Sequence, residues 1–219
     1  MTWGSPRRFA KSSRSFGDIS RNIKRGVAFG SMGVRLRFNF TTRLDSTDEG
    51  NSMKRTAQVS DSMIVNVDAD TLWEQVADPT QMPRWSPENI GAHTPAEPRP
   101  LQVGEVFEGS NHRSRAQWVT ECVVTASEPG ERFAFQVRKI GASSPKISGG
   151  IATWVYEFED INNGRTRVTE TWNDDRTTWP DWVAAIVDRV LTGGKSFADF
   201  QRLNIHRTLT TMKDEFGQA

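Results

Sequence analysis

Residues 151–174 read IATWVYEFEDINNGRTRVTETWND, two alternating runs joined by Asn162-Asn163-Gly164. In the first run Trp154, Tyr156 and Phe158 share one parity; in the second Val168, Glu170 and Trp172 do. A period of two places each set on one face of a strand. Asn-Gly supplies the positive φ angles of a tight hairpin. The pattern extends backwards through residues 116–126 and 132–139, joined at Glu128-Pro129-Gly130, with Phe133 and Phe135 again on one parity. Residues 116–174 are thus four strands of an antiparallel meander whose rings gather on one face. A single following helix can cover only part of so much aromatic surface. The rings are either a dense core or the wall of a pocket.

The rest of the chain completes the order. Val59, Met63, Val65 and Val67 mark a strand over 57–67. Asp68 or Asp70 can cap a helix over 71–77, which ends at Asp78-Pro79 because the residue before proline disfavours helix. A second short helix over 80–85 stops at Ser86-Pro87, and strands follow over 89–94 and 105–112. Residues 141–150 read as a Ser/Gly-rich loop, and His112, Arg113 and Arg115 as part of a basic one. The last stretch, 180–216, is largely helical. Trp182, Ile186 and Val190 are spaced by four, Gly193-Gly194 breaks the helix, and Ile205, Leu209, Met212 and Phe216 form a packing stripe beyond it.

The resulting order is β-αα-β6-α, an α+β arrangement in which a curved antiparallel sheet wraps a long C-terminal helix. Several short pieces carry a likeness: Ala69-Asp70-Thr71-Leu72-Trp73 with Ala77-Asp78-Pro79, Trp85-Ser86-Pro87-Glu88, and Gly104-x-x-Phe107-x-Gly109-x-Asn111. Trp118-x-Thr120, Pro129-Gly130-x-x-Phe133-Ala134-Phe135, Ala152-Thr153-Trp154-x-Tyr156 and Val168-Thr169-Glu170 continue it. With these the chain resembles the helix-grip fold of the SRPBCC superfamily, START-like or birch-pollen-allergen-like. Within it the chain is similar to the polyketide cyclase/dehydrase-like branch common in actinobacteria. The resemblance covers about residues 57–216 and implies an apolar ligand held between sheet and helix.

Composition sets the outer limits. Of 219 residues, the first 52 hold ten Lys or Arg and four Asp or Glu, a balance of +6, which leaves −5 for the remainder. A mildly acidic globule is a poor nucleic-acid binder, since that role needs a basic face on the folded part. Residues 1–56 are expected to be a basic leader without a packed core, or to precede a true start at Met53; 57–219 form the domain. Arg7-Arg8-Phe9-Ala10-Lys11 resembles a twin-arginine export signal, but the apolar stretch after it is short and Gly-broken. No apolar run is long enough for a transmembrane helix. Cys122 is the sole cysteine, which fits a reducing, cytoplasmic location. One Cys and three scattered His give no zinc set, and no cofactor motif is found, so neither metal nor cofactor is expected.

Carried into the helix-grip frame, the aromatic parity makes Phe107, Trp118, Phe135, Trp154, Tyr156 and Trp172 the candidate ligand-binding wall. Asn111 shares the inward parity of Phe107, and Trp85 follows the short helices. Glu170 is the candidate catalytic residue, one carboxyl on an otherwise aromatic parity. Buried, it must be paired, hydrated or protonated, with a raised pKa. It could move a proton, anchor a ligand, or sit in a buried salt bridge. Cys122 reads as a small buried hydrophobe, His206 as a surface residue, and Asp174-Asp175 as strand-end charge. Three functions follow. The first is a binding protein for a small hydrophobic molecule, lipid or polyketide-like. The second is a cyclase or dehydratase using Glu170 as acid or base. The third is a protein-interaction module of the same fold. The oligomeric state stays open.

Overall fold

The structure, a computed structural model, describes residues 56–217 apart from 115, 178, 179, 181, 183, 185–187, 190, 191, 193 and 195. The leader expectation, covering residues 1–56, therefore lies almost wholly outside the described residues. Seven strands are β1 (Gln58–Val65), β2 (Asn89–His93), β3 (Val106–Arg113), β4 (Ala116–Glu128), β5 (Arg132–Gly141), β6 (Ile147–Asp160) and β7 (Thr166–Asp174). Helix α1 spans Ala69–Val76, a 3-10 turn spans Pro79–Arg84, and helix α2 spans Phe197–Phe216. All neighbours pair antiparallel in one sheet of order β1-β7-β6-β5-β4-β3-β2. The expected β-αα-β6-α order and helix-grip architecture are what the chain adopts.

Local chemistry explains the elements. Asp68 caps α1 by accepting from the Thr71 amide, and Asp78 caps the 3-10 turn by accepting from Thr80. Trp73 docks α1 on the sheet by donating its indole N–H to the Arg132 carbonyl at 3.1 Å. Ser196 caps α2, its hydroxyl accepting from the Asp199 amide. Gly194, with φ +108°, separates α2 from the helical residues before it. In α2 the stripe Ile205, Leu209 and Met212 is sealed from solvent. Each such side chain contributes roughly 1.5–3 kcal/mol through burial. Phe216, last in the stripe, is partly buried against the same core.

The parity reading holds across the sheet. Residues 166, 168, 170, 172 and 174 of β7 are all buried while the intervening ones are not. Of these, Val168 and Trp172 join Phe133, Phe135, Tyr156 and Phe158 in the hydrophobic core that α2 covers. Register shifts on β4 beside Ala126 leave Ala126, Ala134 and Val155 as a small separate cluster.

Three local readings are corrected. Residues 147–150 belong to β6, because Ile147 and Ser148 pair with Ile140 and Lys139, so the Ser/Gly loop is shorter than expected. His112 and Arg113 end β3 rather than forming a loop, and the turn is made at Ser114 with φ +53°; Arg115 lies outside the described residues. Of the residues spaced by four, Trp182 is 55% exposed; Ile186 and Val190 lie outside the described residues. Asp174 is not strand-end surface charge. It is buried and binds Arg176, which also pairs with buried Asp188 at 2.8 Å. Asp188 in turn accepts from the Phe197 amide, tying the chain before α2 to the end of the sheet.

Candidate functional site

The β6–β7 hairpin sets the centre of the site. Asn162, Asn163 and Gly164 all have positive φ, and the turn pairs Asp160 with Thr166. Counting back two residues at a time puts Phe158 opposite Val168, Tyr156 opposite Glu170, and Trp154 opposite Trp172. Two further pairings extend the rows: Phe133 stands opposite Tyr156 and Phe135 opposite Trp154. On the other side Asp61 stands opposite Glu170 and Val59 opposite Trp172.

Glu170 is 2% exposed. The Tyr156 hydroxyl donates to its Oε1 at 2.9 Å, and its Oε2 is buried with no hydrogen-bond partner among the described residues. Burial pushes the Glu170 carboxyl up to about 8; the Tyr156 hydrogen bond opposes this and the nearby Asp61 charge adds to it. Burial, and then the Glu170 charge, also raise the Tyr156 phenol well above its usual range. Both shifts favour the uncharged form of the pair. An unsatisfied buried oxygen is uncommon in a folded protein and marks a place where a further partner would be stabilising.

The other candidate residues fall into separate groups. Trp172 stacks on Phe197 with centroids 6.3 Å apart, and Trp154 is partly buried against the core beside it. Phe107 meets Phe135 edge-on at 5.3 Å, and Phe133 lies 6.1 Å from Phe135. These rings, with Tyr156 and Glu170, share the inner face. Asn111 and Trp118 pair with each other at the far end of β3 and β4. There Asn111 donates to the Gly109 carbonyl at 3.1 Å, while the Arg113 guanidinium sits between Trp118 and Phe200, 3.6 Å from the Phe200 centroid. Trp85 is buried near Phe216, 6.5 Å between centroids, with Arg84 over its ring.

Sequence reasoning missed two features and under-read a third. Asp61 shares the parity of Val59, Met63 and Val65, which was a usable signal; its carboxylate is hydrogen-bonded to His206 Nδ1 at 3.1 Å. Glu88, just before β2, bridges Arg113 of β3 and the buried Asn204 of α2. The polar face that α2 turns inward, Gln201, Asn204 and Thr208, is buried as well. Cys122 is buried, and burial pushes its thiol up to about 12, which suits a packing residue rather than a nucleophile. Among the described residues no group of three or more His, Cys, Asp or Glu could hold a metal ion. A pocket of about 260 Å³ opens at Ile64, Asn66, Lys213, Asp214 and Gly217. It includes none of the aromatic residues or Glu170, and ligand sites typically run to roughly 300–1,000 Å³.

Comparison with known proteins agrees with this architecture. A family model described as polyketide cyclase/dehydrase and lipid transport matches residues 56–210. No curated protein matches the chain. Among solved structures, a START superfamily protein from Mycobacterium smegmatis is similar at TM-score 0.53 and 12% identity, covering 74% of this chain and 99% of its own. A protein from Nitrosomonas europaea gives TM-score 0.52 and 14% identity, covering 74% and 95%. One from Chromobacterium violaceum gives 0.51 and 10%, covering 74% and 98%. At these identities the likeness is one of fold. Among the described residues no helix is long and apolar enough to cross a membrane.

Proposed function

This chain belongs to the polyketide cyclase/dehydrase and lipid-transport family within the START-like superfamily, and from that premise we propose that it binds a small hydrophobic molecule between the inner face of the sheet and α2. One observation carries the reading: the buried Oε2 of Glu170, between Val168 and Trp172 on the inner face, has no hydrogen-bond partner among the described residues. A packing role alone would favour a hydrocarbon at that position. A polar end of an apolar ligand would satisfy the oxygen while its carbon skeleton lies along Trp172, Trp154 and Phe135. The sole cysteine fits a reducing compartment, and the cytoplasm is the proposed location.

Native mass spectrometry of the full chain purified from its own host tests this. The expected result is a discrete adduct, released on denaturation and extractable into organic solvent. A clean apoprotein mass, together with no uptake of any compound from a lipid extract of that host, would overturn the binding reading.

A second reading is favoured by the position of the Glu170 pKa near 8, which suits a group that both holds and gives up a proton near neutral pH. Here the protein would be a cyclase or dehydratase, and Glu170 its acid or base. Positioning of a folded chain supplies much of such a rate. Glu170→Gln separates the two readings. Lost turnover with retained ligand affinity supports catalysis, whereas retained conversion in the variant excludes Glu170 as the proton carrier.

A further inference from the structure

The arrangement around Glu170 also states what kind of group the ligand brings to it. We propose that Glu170 acts as a hydrogen-bond donor, through Oε2, to an uncharged carbonyl oxygen of the ligand; the inference rests on the binding site proposed above. Tyr156 donates to Oε1, so the proton of the neutral carboxyl belongs on Oε2. That O–H is buried and meets no acceptor among the described residues.

The charged and titratable neighbours point the same way on every side. From β1 comes Asp61, a second carboxyl, and from β6 the phenol of Tyr156. From α2 comes His206, which is largely exposed and bonds to Asp61 rather than to Glu170. Along β7 itself the neighbours on this face are Val168 and Trp172. Among the described residues no Lys or Arg pairs with Glu170. A carboxylate ligand would therefore meet a second carboxylate and no countercharge. An ammonium ligand would have to shed its hydration among rings, which costs far more than moving a ketone there. Burial and Asp61 both hold Glu170 protonated. A ketone or ester carbonyl on an apolar skeleton accepts the hydrogen bond and carries no charge, so it fits on both counts.

The test uses the full chain and four probes of one chain length: undecane, 2-undecanone, undecanoate and undecylamine. Binding is followed by tryptophan fluorescence at about pH 6 and about pH 9.5, on either side of the Glu170 titration. At the lower pH the ketone should bind about tenfold tighter than the alkane, the effect of one buried hydrogen bond against one left unmade. At the higher pH that preference should vanish. Glu170→Gln, whose amide still donates but does not titrate, should keep the preference at both values, and Glu170→Met should abolish it at both. Undecanoate or undecylamine binding tighter than the ketone overturns the proposal. So does a ketone preference that survives high pH in the wild type. Should the methionine variant fail to fold, the wild-type pH series and the glutamine variant still decide. Ketone and alkane binding equally defeats the donor role but leaves the cavity reading standing. Failure of all four probes to bind defeats both.

Discussion

Asp61 on β1 is the cross-strand partner of Glu170 on β7, so two carboxyls stand side by side on the inner face, one partly exposed and one sealed. Directly opposed residues of an antiparallel pair have Cβ atoms about 4.5–5.5 Å apart. The Asp61 charge raises the Glu170 pKa. Asp61→Asn should therefore lower the Glu170 pKa from about 8 toward the ordinary carboxylate range while leaving it raised, because burial, the larger cause, persists. Carboxyl carbon NMR titration reads this directly. An unchanged or higher value in the variant refutes the coupling.

The same group makes stability fall with rising pH. In the unfolded chain Glu170 loses its proton near 4.5, whereas the folded protein holds it to about 8. Its contribution is fully present below about 4.5. It is lost progressively as pH rises, because between the two values the folded state binds the extra proton, and it is gone above about 8. Glu170→Gln should flatten this part of the curve. Thermal melts at a series of pH values compare the two proteins, and parallel curves would show that Glu170 does not titrate as described.

Arg176 is 6% exposed, with Asp174 and Asp188 both at 2.8 Å and the Phe197 ring beneath its guanidinium. Arg176→Met removes the cation between two buried carboxylates. Breaking a buried pair in this way costs about 3–5 kcal/mol. The melting temperature should fall on the order of 10 °C, taking roughly 2–4 °C per kcal/mol for a domain of this size. A shift of a degree or two would mean the cluster is not holding α2 to the sheet.

Gly130 and Gly164 have nearly the same backbone, φ +68° and +66°, in two hairpin turns. A Cβ on Gly130 would lie 2.4 Å from Asp70 Oδ1, whereas one on Gly164 would meet nothing within 4 Å. Both alanine variants bear left-handed strain of roughly 1 kcal/mol or more. Gly130→Ala should be the more damaging, because the Asp70 side chain must also move. Denaturant midpoints rank the two, and equal midpoints would show that Asp70 swings aside freely.

How much of this the sequence disclosed depended on the distance between partners. The inward position of Glu170 was legible because parity is a local property of Val168, Glu170 and Trp172. Its place opposite Tyr156 follows from the turn over 162–164 by counting, but the sequence reading did not draw it. The alignment of Asp61 beside Glu170 was not legible, because some hundred residues separate β1 from β7 and no turn fixes their register. The same holds for Glu88 and Asn204, 116 residues apart. Arg176 was hidden for another reason: a basic residue after two acids reads as solvated charge until a third carboxylate, Asp188, arrives from another segment. The exposure of Trp182 was not legible, because spacing by four names a helical face without saying which side it turns to.

The pairing of β1 with β7 has a consequence in time. Gln58 and Asn173, bonded across that edge, are 115 residues apart. At synthesis rates of about 5–20 residues per second, β1 waits on the order of ten seconds for its partner to be made. During that interval β2 to β6 can already pair in sequence, with their aromatic face open and the β6 edge unpaired. Only after β7 has closed the edge does α2 emerge to cover the rings. Such long-range pairing folds slowly and leaves adhesive surface exposed. A chain interrupted between residues 174 and 197 would own every strand and every ring of the sheet, yet would present them to the cell as an aggregation-prone surface.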